Sequence, residues 1–196
     1  MNFSSDNAGP VHPKVMAALD AANAGYALPY GNDPLTDAAV AMVRETFAAP
    51  GAEVLFVGNG TVANALLLSA LSRPWETVFC APHAHIHEDE CAAPEFFGHG
   101  LKLTPVFGAT DRIRANALSE ILDHAASGSI HSVAPGPVSL TQATERGTVY
   151  SLSELREITS IAHAHGLPVH MDGARFANAL ATLGCTPAEL THLSGV

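Results

Sequence analysis

"LSELREITSIAHAHGLPVHMD", residues 152–172, decides the architecture. Leu155, Ile158, Ile161 and Ala162 recur at helical spacing and make one apolar stripe, so residues 152–166 predict an amphipathic helix. Ser153 is its expected N-cap and Gly166 its stop. "LPVHMD" (167–172) then reads as a short apolar strand. This strand runs into Asp172, Gly173 and Arg175. A carboxylate at the end of a buried strand is costly unless something compensates it. A structural ion pair, a metal or a cationic cofactor atom could each do so.

The same alternation continues upstream. "PVSLTQ" (137–142) reads as a strand, 115–126 as a helix, "LKLTPV" (101–106) as a strand and "TVFCA" (77–81) as another. In "AEVLFVGNGTVANALLLSAL" (52–71), residues 53–57 read as a strand, 58–61 as a turn, and a helix starts near Val62. Two helices precede these, at 13–23, where Val15, Met16, Leu19 and Ala22 share a face, and at about 35–48, with Leu35, Val40, Val43 and Phe47. Alternating strands and helices predict an α/β fold with a mostly parallel sheet flanked by helices. Ligands in such folds bind beyond the carboxyl ends of the strands. Residues 58–61, 83–90, 142–145 and 172–175 all fall there.

Bulk properties narrow the function. The 196 residues are 47% apolar and only 14% charged, with a net charge of −10. That composition can bury a core and shows no basic stripe, which argues against nucleic acid as a partner. No apolar run approaches the roughly 18 residues of a membrane helix. Three widely spaced cysteines, Cys80, Cys91 and Cys185, and no apolar leader in "MNFSSDNAGP" lead us to expect a cytoplasmic protein with free thiols.

Four motifs carry chemistry. "VGNGTVAN" (57–64) places glycines and Thr61 between a strand and a helix start, a cradle suited to phosphate, although neither a P-loop nor G-x-G-x-x-G is present. The alternative is an ordinary tight turn. "HAHIHEDE" (83–90) alternates His83, His85 and His87. On a strand these would face one side and, with the neighbouring acids, suit a metal. Otherwise one His has a role, such as stacking on an aromatic ligand. "TQATE" (141–145) offers Thr141, Gln142, Thr144 and Glu145 at a strand end. Asp172, finally, is the type of residue that keeps the pyridine nitrogen of pyridoxal phosphate protonated, with Arg175 three residues on.

In this order, "SSDN" (4–7), "YGNDP" (30–34), "GNGTVAN" (58–64), "AHIHEDECAAPEFF" (84–97), "TQATERGTVY" (141–150) and "HMDGARFANA" (170–179) resemble the successive blocks of the low-specificity threonine aldolases. These belong to the β-eliminating lyase group of fold-type I pyridoxal-phosphate enzymes. The resemblance implies a fold-type I large domain over residues 13–196 after an N-terminal arm at 1–12. It implies pyridoxal 5'-phosphate as cofactor and no metal. A small 3-hydroxy amino acid such as threonine, allo-threonine or a phenylserine would be split into glycine and an aldehyde, as part of amino acid metabolism. Position by position, Gly60 and Thr61 would hold the phosphate, His85 would stack on the ring, and Asp172 would pair with its nitrogen. Arg175 would contact cofactor or substrate, Ser5 the substrate carboxylate, and Tyr30 would line the site.

Two departures qualify this resemblance. Many threonine aldolases carry His where this chain has Glu145, so the catalytic base is either this carboxylate, a water or another His. Lys14 and Lys102, the only lysines, do not match the family's Schiff-base lysine motif, so the chain is expected to be an N-terminal portion, lacking the small C-terminal domain and inactive alone. The intact enzyme would be a homodimer or homotetramer. The competing readings are a metal-dependent hydrolase built on His83, His85 and Asp172, and a non-catalytic fragment without ligand.

Overall fold

A computed structural model describes residues 8–108, 111–126 and 128–196. The chain divides into two units. Among the described residues, the first comprises 8–45 and 50–54, and the second 46–49 and 55–196.

The first unit contains α1 (Pro13–Ala22) and nearly all of α2 (Pro34–Thr46). Pro13 sits in the first turn of α1, where its missing N–H costs nothing. Both helices lie where the sequence places them, yet neither buries a residue completely. The stripe of Val15, Met16 and Leu19 is more than half exposed.

The second unit is built on a four-stranded parallel sheet of order β2-β1-β3-β4. After α3 (Gly60–Leu71) come β1 (Glu76–Cys80), the short helices α4 (His85–Glu88) and α5 (Ala93–Phe97), and β2 (Lys102–Pro105). Then follow α6 (Ala115–Ala126), β3 (Ala134–Thr141), α7 (Leu152–Ala164), β4 (Val169–Asp172), α8 (Phe176–Leu183) and α9 (Pro187–Leu190). β1 and β3 are buried along nearly their whole length, as expected for parallel strands covered on both faces. Val78, Phe79, Val138 and Leu140 of these strands pack in one core with Leu68, Leu118, Leu122, Leu155 and Ile158 from α3, α6 and α7. Each such side chain contributes about 1.5–3 kcal/mol by leaving water.

Three expectations need correction. Residues 53–57 are not a strand; among the described residues no strand pairs with them, and Leu55, Phe56 and Val57 are 79%, 61% and 41% exposed. An apolar, β-branched composition suits a ladder but does not supply the neighbouring backbone a ladder requires. The cap of α7 is Ser151, not Ser153: Ser151 Oγ accepts from the Glu154 N–H, and the Glu154 carboxylate accepts from the Ser151 N–H. Gly166, at φ +70°, follows the helix in the left-handed region that glycine favours. The histidines at 83–87 are not on a strand, because residues 85–88 form a helical turn.

Candidate active site

The strand order places a topological switch point between β1 and β3. The chain leaves β1 toward β2 on one side and leaves β3 toward β4 on the other, so their carboxyl ends open a crevice. The segment after β1 brings His85 there, and the segment after β3 brings Glu145. The two meet directly: Glu145 Oε1 accepts from the backbone N–H of His85 at 2.7 Å and from Thr141 Oγ1 at 3.0 Å. Glu145 Oε2 is buried without a partner.

Asp172 ends β4, beside Thr141 of β3. It is half-buried, and both of its oxygens are engaged. Oδ1 accepts from the Ala174 N–H at 2.9 Å, and Oδ2 accepts from Asn64 Nδ2 at 2.9 Å. Asn64 is buried in α3 and donates its other amide hydrogen to Glu90 Oε1 at 2.7 Å. Glu90 Oε1 also meets His85 Nδ1 at 2.8 Å. A continuous polar chain thus runs His85–Glu90–Asn64–Asp172 across elements far apart in sequence. Burial works against a charged His85 ring, but the hydrogen bond to Glu90 and the charges of Glu90, Asp172 and Asp89 outweigh it and hold the imidazole above its usual pKa.

The start of α3 belongs to the same site. Asn59 caps it, accepting the Val62 N–H at 2.9 Å. Gly60 and Thr61 stand in the first turn, where backbone N–H groups have no carbonyl four residues back to meet them. A Cβ added at Gly58 or Gly60 would meet open space, so the turn is a free, donor-lined ledge. Asn64 lies one helical turn beyond Gly60, about 6 Å along the axis, and therefore on the same face. Since Asn64 bonds Asp172, the ledge and the carboxylate share one site.

The structure therefore gathers Gly60, Thr61, His85, Glu145 and Asp172, with Arg175 at the N-cap of α8 beside them in sequence. Tyr30 belongs to the first unit, and Ser5 lies outside the described residues. His83 does not join His85, as the metal reading required. Its Nδ1 lies 3.0 Å from Glu88, and its Nε2 lies 2.9 Å from Arg146. His85 instead turns to Glu90 and approaches Asp172: the ligand-capable atoms of the three are within 4.8 Å of one another. The Asn64 amide donates to both of these carboxylates.

Sequence reasoning passed over Asn64 and did not separate Glu90 from its acidic neighbours. Asn64 had a usable signal, a single amide in the otherwise apolar run "VANALLL" (62–68). Glu90 had none, because Glu88 and Asp89 beside it look alike until the backbone turns.

The geometry agrees with comparison to known proteins. The family model of the beta-eliminating lyases matches residues 2–195. A low specificity L-threonine aldolase of Pseudomonas sp. (strain NCIMB 10558) is 42% identical over 99% of this chain and 55% of its own length. One from Saccharomyces cerevisiae is 31% identical over 89% of this chain and 44% of its own length. A threonine aldolase structure from Leishmania major superposes with a TM-score of 0.86 at 31% identity, covering 95% of this chain and 54% of that one. The chain spans about half the length of the relatives it matches. By family model, identity and architecture, the chain belongs to the beta-eliminating lyase family.

Proposed function

We propose that this site binds pyridoxal 5'-phosphate and serves a threonine-aldolase-type lyase, which cleaves threonine or a related 3-hydroxy amino acid to glycine and an aldehyde. The observation that carries this reading is the Asn64–Asp172 hydrogen bond, which ties the helix that opens with the phosphate-type ledge to an anchored carboxylate. The donor set fits the cofactor. Gly60 and Thr61 would take the phosphate with N–H groups and a hydroxyl, aided by the positive end of the helix dipole. His85, whose side chain is 42% exposed, would stack on the cofactor ring. When bound, the cofactor supplies an electron sink for the pair left on Cα as the Cα–Cβ bond breaks.

The chain's own residues do the rest. Asp172 would hold the proton on the ring nitrogen, its two oxygens fixed by the Ala174 N–H and the Asn64 amide. Glu145 ties the His85 segment to the end of β3, a positioning role its contacts support more directly than that of a base. Arg175, Ser5 and Tyr30 are assigned to substrate by resemblance. We place the intact enzyme in cytoplasmic amino acid metabolism as a homodimer or homotetramer. The free thiols are compatible with this, and among the described residues no helix is long and apolar enough to cross a membrane.

Lys102 opens β2, at the end of the sheet away from the site, and so does not serve as the cofactor's lysine. With Lys14 likewise outside any match to the family's lysine motif, the 196 residues alone should release no acetaldehyde from threonine above a no-protein control. The direct test is titration with pyridoxal 5'-phosphate, followed by visible absorbance. Wild type should bind saturably, with competition by inorganic phosphate. Asp172→Ala should bind roughly ten- to a hundredfold more weakly, the value of one charge-assisted hydrogen bond. Absence of saturable binding by wild type overturns the reading. In a full-length parent enzyme, Asp172→Ala should abolish threonine cleavage.

A further inference from the structure

Glu90 is the least expected group in the site. Its side chain is completely buried. One oxygen, Oε1, meets both Asn64 Nδ2 and His85 Nδ1, while Oε2 is buried without a partner. No Lys or Arg pairs with it among the described salt bridges. Burying a carboxylate costs several kcal/mol, and leaving half of it unbonded makes the expense worse. A purely structural contact to one imidazole nitrogen could be made by a neutral amide at lower cost. The arrangement makes sense if the charge acts on His85.

An imidazole has two nitrogens, and the partner of one decides what the other can do. A carboxylate on Nδ1 selects the tautomer with the proton there, fixes the ring plane and supports the imidazolium form. The same logic orients the histidine of a catalytic triad. Asn64 braces this carboxylate from behind and links it to Asp172, so ring and ring-nitrogen partner are aligned by one shared amide.

We propose that Glu90 is the positioning residue of the site, holding His85 through Nδ1–H so that the ring faces the ligand and Nε2 is left to accept a proton. This deepens the pyridoxal-phosphate reading and rests on it. The charged groups about His85 are Glu90 and Asp89 on its own segment, Asp172 from β4 and Glu145 from the segment after β3. Of these, Glu90 alone is bonded to the ring.

The test uses the ligand-free protein, so it does not depend on turnover. Imidazole ¹⁵N spectra, with His85 assigned by loss of its signals in His85→Gln, report which nitrogen carries the proton and the titration midpoint. Wild type should show the Nδ1–H tautomer. Glu90→Gln, which keeps the shape and an acceptor but removes the charge, should lower the midpoint by about one pH unit. An Nε2–H tautomer in wild type, or equal midpoints in both proteins, overturns the proposal. Should Glu90→Gln fail to fold, the wild-type tautomer decides alone. If His85 behaves as expected in a protein that does not bind pyridoxal 5'-phosphate, the cofactor reading falls while the Glu90–His85 pair stands. If the cofactor binds but His85 ignores Glu90, only the present inference falls.

Discussion

Asn64 shows how much one buried side chain can organise. Each of its amide hydrogens goes to a different carboxylate, Glu90 at 2.7 Å and Asp172 at 2.9 Å. Hydrogen bonds to charged acceptors contribute about 1.5–3 kcal/mol each, and Glu90 has no water to fall back on. Asn64→Ala should therefore destabilise the protein by roughly 2–3 kcal/mol, read as a lower urea midpoint, and weaken cofactor binding. Asn64→Asp, nearly the same shape, sets a third acceptor between two carboxylates and should be worse than Ala. If Asp were better tolerated than Ala, the site would be organised differently.

At the scale of elements, local chemistry and tertiary contact share the decisions. α7 is fixed locally at its start. Ser151 and Glu154 satisfy each other's backbone N–H groups, and Glu154 also binds Arg112 at 2.8 Å. Ser151→Ala should cost about 1 kcal/mol in thermal denaturation, whereas Ser153→Ala should cost only a few tenths. β3 teaches the opposite lesson. The sequence places its start at Pro137, yet the strand begins at Ala134 and takes in Pro135 and Gly136. A register shift against Thr77 and Phe79 of β1 accommodates the prolines. Gly136 is needed there, since a Cβ would come within 2.8 Å of the Thr77 carbonyl oxygen. Only the neighbouring strand makes that segment a strand.

For the whole molecule, pH is the revealing variable. His170 is 4% exposed, bonds Ser139 through Nδ1 at 2.9 Å, and leaves Nε2 buried without a partner. Burial pushes its pKa down to about 4, against the pull of the Asp172 charge. The unfolded chain, with an ordinary His near 6.5, binds the proton first as pH falls, so stability declines between about pH 6.5 and 4. The full loss is about 3 kcal/mol, from a shift of roughly 2.5 units. Urea midpoints should fall across that window, and His170→Gln should flatten the slope. His85 acts on the other side: its raised pKa contributes stability fully present below about 6.5 and lost as pH rises through the folded value. Asp111 and Glu154 enter last. Hydrogen bonds from Thr144 and Thr148, and from Ser151, overcome their burial and hold them below the usual carboxylate range, so their contribution disappears only under about pH 4.

Sequence alone determined what local pattern and side-chain chemistry encode. Helical stripes located α1, α2 and α7, apolar runs located β1, β2 and β4, the turn and strand-end chemistry pointed to Thr61 and Asp172, and the family resemblance of the motifs singled out Gly60 and His85. Tertiary structure alone decided what depends on partners distant along the chain. It left 53–57 without a ladder, turned His83 away from His85, and drew Asn64 and Glu90 into the site. The physical reason is that periodicity and propensity act within a few residues, whereas a strand's hydrogen bonds and a buried carboxylate's donors come from segments that meet only when the sheet assembles.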